Sequence, residues 1–124
     1  MAVVELTKDN FEETVTKNGF VVVDFWAPWC APCRNFAPIY EQVSELREGI
    51  VFGKVNTEEE QELAMHFRIR SIPTLMILRD QIIIHSEAGM MPQPAFEELL
   101  DRAAGVDMDQ VRAKIAEQQS SGQA

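Results

Sequence analysis

Cysteine is scarce in this chain of 124 residues, with only two, and cations are outnumbered, with 11 Lys and Arg against 20 Asp and Glu. Each shortage excludes something. Two cysteines cannot staple a small scaffold with several disulfides. A formal net charge of -9 repels phosphate backbones and anionic headgroups, which argues against nucleic acid and membrane surfaces as partners. No stretch approaches the roughly 18 to 20 uncharged apolar residues that a membrane-spanning helix needs. The start, Met1-Ala2-Val3-Val4-Glu5-Leu6, lacks a basic segment followed by an apolar one, so a cytoplasmic location is expected. What is present is ordinary for a globule: 46% apolar and 25% charged residues, enough for one domain with a real core.

Thr7, the spacing of Phe11 and Val15, and Asn18-Gly19 predict an N-capped helix over 8–17. Phe20 to Trp26 is β-branched and aromatic without polar alternation, as in a strand covered on both faces. Residues 31–48 place Phe36, Ile39, Tyr40, Val43 and Leu46 at helical spacings, with Pro38 expected to kink the helix and Gly49 to end it. A second buried strand is predicted at 50–55, then an acidic helix from a Thr57 cap to about Phe67. Strands follow at 74–78 and 82–85, and a helix with Phe96, Leu99, Leu100 and Ala103 stops at Gly105. With a weak first strand at 3–6, the class is α/β: a mixed central sheet, a parallel core plus one antiparallel hairpin, with helices on both faces. Residues 1–105 form the domain. Asp107 and Gln110 begin an extra C-terminal helix over 106–118, and 119–124 reads as a flexible tail.

Cys30-Ala31-Pro32-Cys33 follows the buried-strand signal and opens a helix. Unpaired N–H groups and the dipole at a helix start favour an anion, so the Cys30 thiol should ionise readily and act as the attacking group. Cys33 lies one turn further on, close enough to close a ring with Cys30 and less accessible. A zinc site is disfavoured, because His66 and His85 are remote and unpaired in spacing. Two cysteines serving only as small buried hydrophobes remain the plain alternative. Asp24 interrupts an apolar strand six residues before Cys30. Burial there would raise its pKa towards neutrality and let it accept a proton, whereas a strand-end Asp pairing with a neighbour is the simpler reading.

Val23 through Arg34, with Ile69-Arg70-Ser71-Ile72-Pro73-Thr74, resembles the thioredoxin family. The likeness runs from about Val3 to Ala104. Asn35-Phe36-Ala37-Pro38 and Arg68 to Thr74 are most similar to the thioredoxin domain of the second bacterial thioredoxin. The N-terminal zinc ribbon of that class has no counterpart cysteines here. Ala31 stands where the family usually has Gly, and residues 106–124 lie beyond the usual fold.

The resemblance implies the thioredoxin fold and a redox-active disulfide between Cys30 and Cys33. It implies protein-disulfide reduction by dithiol/disulfide exchange, with Cys30 attacking, Cys33 resolving and Asp24 taking the Cys33 proton. Ala31, Pro32 and Lys54 would tune the pair. Trp29, Ile72, a cis Pro73, Gly89 and Met90 would form the substrate groove, while Glu58-Glu59-Glu60 reads as a solvated helix start. No bound cofactor or metal is implied. Electrons would come from NADPH through thioredoxin reductase, and disulfide-containing client proteins would be the partners of a monomer. A redox-switched binding module holding one partner in the groove is the alternative, and a disulfide oxidase is disfavoured because no His separates the cysteines.

Overall fold

A computed structural model describes residues 2–122. In chain order the elements are β1 (Val3–Glu5), α1 (Phe11–Lys17), β2 (Phe20–Trp26), α2 (Ala31–Leu46), β3 (Val51–Asn56), α3 (Gln61–His66), β4 (Thr74–Arg79), β5 (Ile82–Ala88), α4 (Gln93–Ala104) and α5 (Met108–Gly122). The strands form one sheet in the order β1-β3-β2-β4-β5. β1 and β2 run parallel to β3, whereas β4 is antiparallel to both β2 and β5. The mixed sheet with a single hairpin is the one the sequence predicts.

Side chains alternate across β2 and so divide between two cores. Val22 joins Phe36, Tyr40, Val43, Phe96, Leu99 and Leu100 under α2 and α4. Val21, Val23 and Phe25 join Leu6, Phe11 and Val15 on the other face, with Leu63 and Phe67 of the α3 segment packed against them. Burying a large apolar side chain contributes roughly 1.5 to 3 kcal/mol, so two filled faces hold β2 firmly at the centre. By the same alternation Asp24 occupies a core position on the α2 side, one register step beyond Val22. At Gly53 of β3 the Leu6 side chain occupies the space a side chain would need: a Cβ there would lie 2.3 Å from Leu6 Cδ1.

The starts of α1 and α3 differ from the predicted ones. Residues 8–10 form a turn rather than helix. Thr7 contributes its carbonyl to the N–H groups of Asn10 and Phe11, and Asn10 Oδ1 accepts from the Thr7 N–H. Likewise Asn56, not Thr57, organises the approach to α3: its Oδ1 accepts from Glu58 N–H, whereas the Thr57 hydroxyl donates to the Trp26 carbonyl. The acidic run is engaged too. Glu60 accepts from the Lys8 N–H, Glu59 from the Asn56 amide and Glu58 from the Trp29 indole.

α3 ends without glycine. Ile69 N–H reaches the Ala64 carbonyl and Arg68 N–H the Met65 carbonyl, the paired bonds of a helix stop that places Arg68 in the left-handed region at φ 55°. At the other end of the chain, Asp107 Oδ1 accepts from the N–H groups of Asp109 and Gln110, as a cap should. Met108 is buried, and Arg112 bridges Asp109 and Asp80. α5 runs to Gly122, past the predicted end at 118, so residues 119–122 of the expected tail are helical. Met1, Gln123 and Ala124 lie outside the described residues.

Candidate functional site

β2 delivers the chain to the helix through the loop Ala27-Pro28-Trp29, which Arg34 braces by donating to the Pro28 carbonyl at 2.8 Å. Cys30 is the N-cap of α2, with φ -86° and ψ 111°. Pro32 in the first turn has no N–H to satisfy, and the next N–H, that of Cys33, donates to Cys30 Sγ at 3.2 Å. The helix start thus holds the Cys30 sulfur where a negative charge is stabilised by both a hydrogen bond and the dipole. Cys30 and Cys33 form a disulfide with Cα atoms 5.2 Å apart. Both are buried, and they pack with Ala27, Trp26 and Ile72.

The Ile72-Pro73 bond is cis, and the Ile72 carbonyl oxygen lies 3.7 Å from Cys30 Sγ. Gly89, at φ 98°, donates its N–H to the Pro73 carbonyl at 2.8 Å. This ties the end of β5 to the segment facing the cysteines. Trp29 is 65% exposed and Met90 40% exposed, whereas Met91 is buried in the core. The indole N–H of Trp29 is held by the Glu58 carboxylate. Trp29, Ile72-Pro73 and Gly89-Met90 therefore come from three separate loops, and the last two are bonded together.

On the inner side, Asp24, Trp26, Cys33, Ala37, Tyr40 and Lys54 contribute to the lining of a cavity of about 60 Å³. Burial raises the Asp24 pKa to about 7, and the charge of Lys54 opposes that rise. Lys54 is the register partner of Asp24 on β3, yet its ammonium sits 5.0 Å from the centroid of the Trp26 ring rather than in an ion pair with the carboxylate. Asp24 Oδ1 has no hydrogen-bond partner. A carboxyl group beside Cys33 that titrates near neutrality can take a thiol proton. Ala31 and Pro32 stand on the exposed first turn beside the pair.

Sequence reasoning missed two contributors. Glu58 carries no local signal, because its partner is 29 residues away. Tyr40 was read only as an apolar helix position. Its buried hydroxyl lies 2.6 Å from the Gly53 carbonyl and 3.0 Å from that of Val22, and its pKa is held well above the usual range by burial and then by Asp24. A phenol among otherwise apolar core positions was the available signal. A groove of about 590 Å³ lies between α1, α3 and the β4–β5 hairpin and contains none of these residues.

Comparison with known proteins places this geometry. The Thioredoxin family model matches residues 2–117. A Streptomyces coelicolor protein named "Putative thioredoxin 2" is 51% identical over 117 residues, 94% of this chain and 87% of that one. The thioredoxin of Bacillus subtilis is 37% identical over 103 residues, 82% of this chain and 98% of its own. Among solved structures, Plasmodium falciparum thioredoxin superposes with a TM-score of 0.75 at 30% identity, covering 80% of this chain and 97% of that one. The chain belongs to the thioredoxin family, and it is a thiol–disulfide oxidoreductase acting through Cys30 and Cys33.

Proposed function

We propose that the chain reduces disulfides in a range of client proteins and is itself recharged, with NADPH as the electron source, by a thioredoxin reductase in the cytoplasm. Disulfides are the general substrates of the family, and reduction by thioredoxin reductase is its general source of electrons.

In the first step the Cys30 thiolate attacks one sulfur of a client disulfide. A bond forms between Cys30 Sγ and that sulfur, and the other client sulfur leaves as a thiolate, which picks up a proton from solvent. In the second step Cys33 gives its proton to Asp24 and attacks Cys30 Sγ. The mixed disulfide breaks, the second client thiolate departs, and two electrons have passed to the client.

Trp29 and Met90 supply apolar contacts to the client, while the backbone at Ile72, Pro73 and Gly89 accepts an extended segment in the manner of an added strand. Backbone recognition reads few side chains, which suits many clients. Lys54 tunes Asp24, and Ala31 and Pro32 set the stiffness of the turn and with it the potential of the pair.

One observation carries the reading. The unpartnered carboxyl of Asp24 and the Cys33 side chain line the same buried cavity, while Cys30 faces the cis-proline segment on the other side. Turnover of insulin disulfides with dithiothreitol is the direct test. Wild-type protein is expected to accelerate it, with the acceleration lost in Cys30→Ser. Wild-type protein no faster than that variant would refute the reading.

A further inference from the structure

The sheet order puts two different surroundings on either side of Asp24. β2 lies between β4 and β3. On the β4 side are the cis-proline segment and the groove, which a bound client covers. On the β3 side the cavity holding Asp24 and Cys33 is also lined by Val3 of β1 and by Glu41 of α2. Val3, Glu41 and Lys54 line a second hollow as well, of about 180 Å³, together with Ala2, Glu5 and Glu45. The two hollows share these three lining residues and so adjoin. The inner one holds an unpartnered oxygen, Asp24 Oδ1, and the outer one is lined by Glu5, Glu41 and Glu45.

Resolution leaves a proton on Asp24 that must be lost before the site can work again. We propose that the adjoining hollows between β1, β3 and α2 form a passage that is a back door for the proton, with Glu41 receiving it from Asp24 and handing it to solvent. The proposal rests on the reading of Asp24 as acceptor of the Cys33 proton.

The proton balance is simple. The Cys33 thiol loses H⁺ to the Asp24 carboxylate, the resulting carboxylic acid passes it outward to the Glu41 carboxylate, and Glu41 releases it to water. No electron moves in these transfers. The inner cavity has room for at least one bridging water. The charged and titratable groups that face Asp24 are Cys33, Tyr40 and Glu41 from α2 and Lys54 from β3, with Glu5 of β1 and Glu45 of α2 further out. Tyr40 is excluded as a carrier because its hydroxyl lies against two carbonyls and its pKa is raised well above neutrality. Lys54 gates the passage as a cation and favours the ionised form of Asp24.

Stopped-flow tryptophan fluorescence of reduced protein mixed with excess insulin separates the two steps, since attack depends on insulin concentration and resolution does not. Rates are measured across the pH range that brackets the Asp24 pKa of about 7. Below that value Asp24 starts protonated and must pass its proton outward before it can take that of Cys33, so in Glu41→Gln attack should be unchanged there and resolution slowed by about tenfold, a modest share of what a positioned proton carrier contributes. Added imidazole buffer and the Glu41→Asp variant should each restore the rate. An unchanged resolution rate overturns the proposal, as does a slowed rate that buffer fails to restore or a parallel fall of both phases. If wild-type protein shows no attack phase, the reductase reading falls and takes the back door with it. Normal attack together with an unchanged resolution rate in Glu41→Gln removes the back door alone and leaves that reading intact.

Discussion

Replacing Asp24 with Asn should stabilise the oxidised protein at alkaline pH and do so progressively less as the pH falls. Asn has the same shape and cannot ionise. Asp24 is 4% exposed, and its carboxyl titrates at about 7 against an ordinary value of 3.8. Because the folded pKa is the higher one, the native state binds more protons than the unfolded state between those two values. Stability contributed by the neutral carboxyl is therefore fully present below the unfolded value and is lost as the pH rises through the folded one. The gap of about 3 units corresponds to about 4 kcal/mol at pH 8, about 2 kcal/mol at pH 5, and nearly nothing at pH 3. Burying an Asn amide adds its own cost, about 1 to 3 kcal/mol where a partner is missing. That cost is independent of pH, so the slope of the difference isolates the charge. Urea unfolding of both proteins at several pH values is the assay. With an m-value of roughly 2 kcal/mol per molar, the two midpoints should separate by about 2 M more at pH 8 than at pH 3. A difference that stays constant with pH would refute the assignment of a buried, neutral-range carboxyl.

The remaining predictions probe its neighbours and the frame. Lys54→Met removes the charge that lowers the Asp24 pKa, so the pH midpoint of the resolving step should move upward, and a downward shift would show that burial by Lys54 outweighs its charge. Arg68→Gly should raise stability by about 1 kcal/mol, because glycine adopts the left-handed conformation without the Cβ clash; thermal unfolding reads this, and a lower midpoint would contradict the strain argument. Gly53→Ala should destabilise by about 1 to 3 kcal/mol through overpacking against Leu6. An unchanged urea midpoint would mean that β1 shifts away freely.

What the sequence disclosed follows the range of the interactions involved. β2 and α2 announce themselves because a continuous apolar run and a three-to-four spacing are local patterns, and the chemistry of Cys30 and Cys33 could be read from their place between them. Asp24 was also legible, since a carboxylate inside an apolar strand is conspicuous without any partner being known. The starts of α1 and α3 were not. At 7–10 and 56–60 Asn10 and Asn56 satisfy backbone N–H groups with their side chains, while the Thr7 hydroxyl accepts only from Asp9 N–H in the turn and the Thr57 hydroxyl turns to the Trp26 carbonyl. The end of α3 falls where the sequence put it, at about Phe67, although the chain turns there on Arg68 in the left-handed region rather than on glycine.

The interior of the site shows most clearly why local patterns run out. Tyr40 fits the apolar stripe of α2, so its periodicity hides its hydroxyl. Yet that hydroxyl reaches carbonyls on both β2 and β3, and the ring stacks against Phe96 of α4 at 5.7 Å. One residue thereby fixes α2 against the strands that carry Asp24 and Lys54, and against the helix behind them. The separation between Cys33 and Asp24 is set by this docking of helix on sheet rather than by the C-x-x-C spacing. Tyr40→Phe keeps the stacking and removes the hydroxyl. It should leave the fold intact, cost about 1 kcal/mol, and alter the resolving step more than the attack of Cys30. Equal effects on both steps would place the control of that geometry elsewhere.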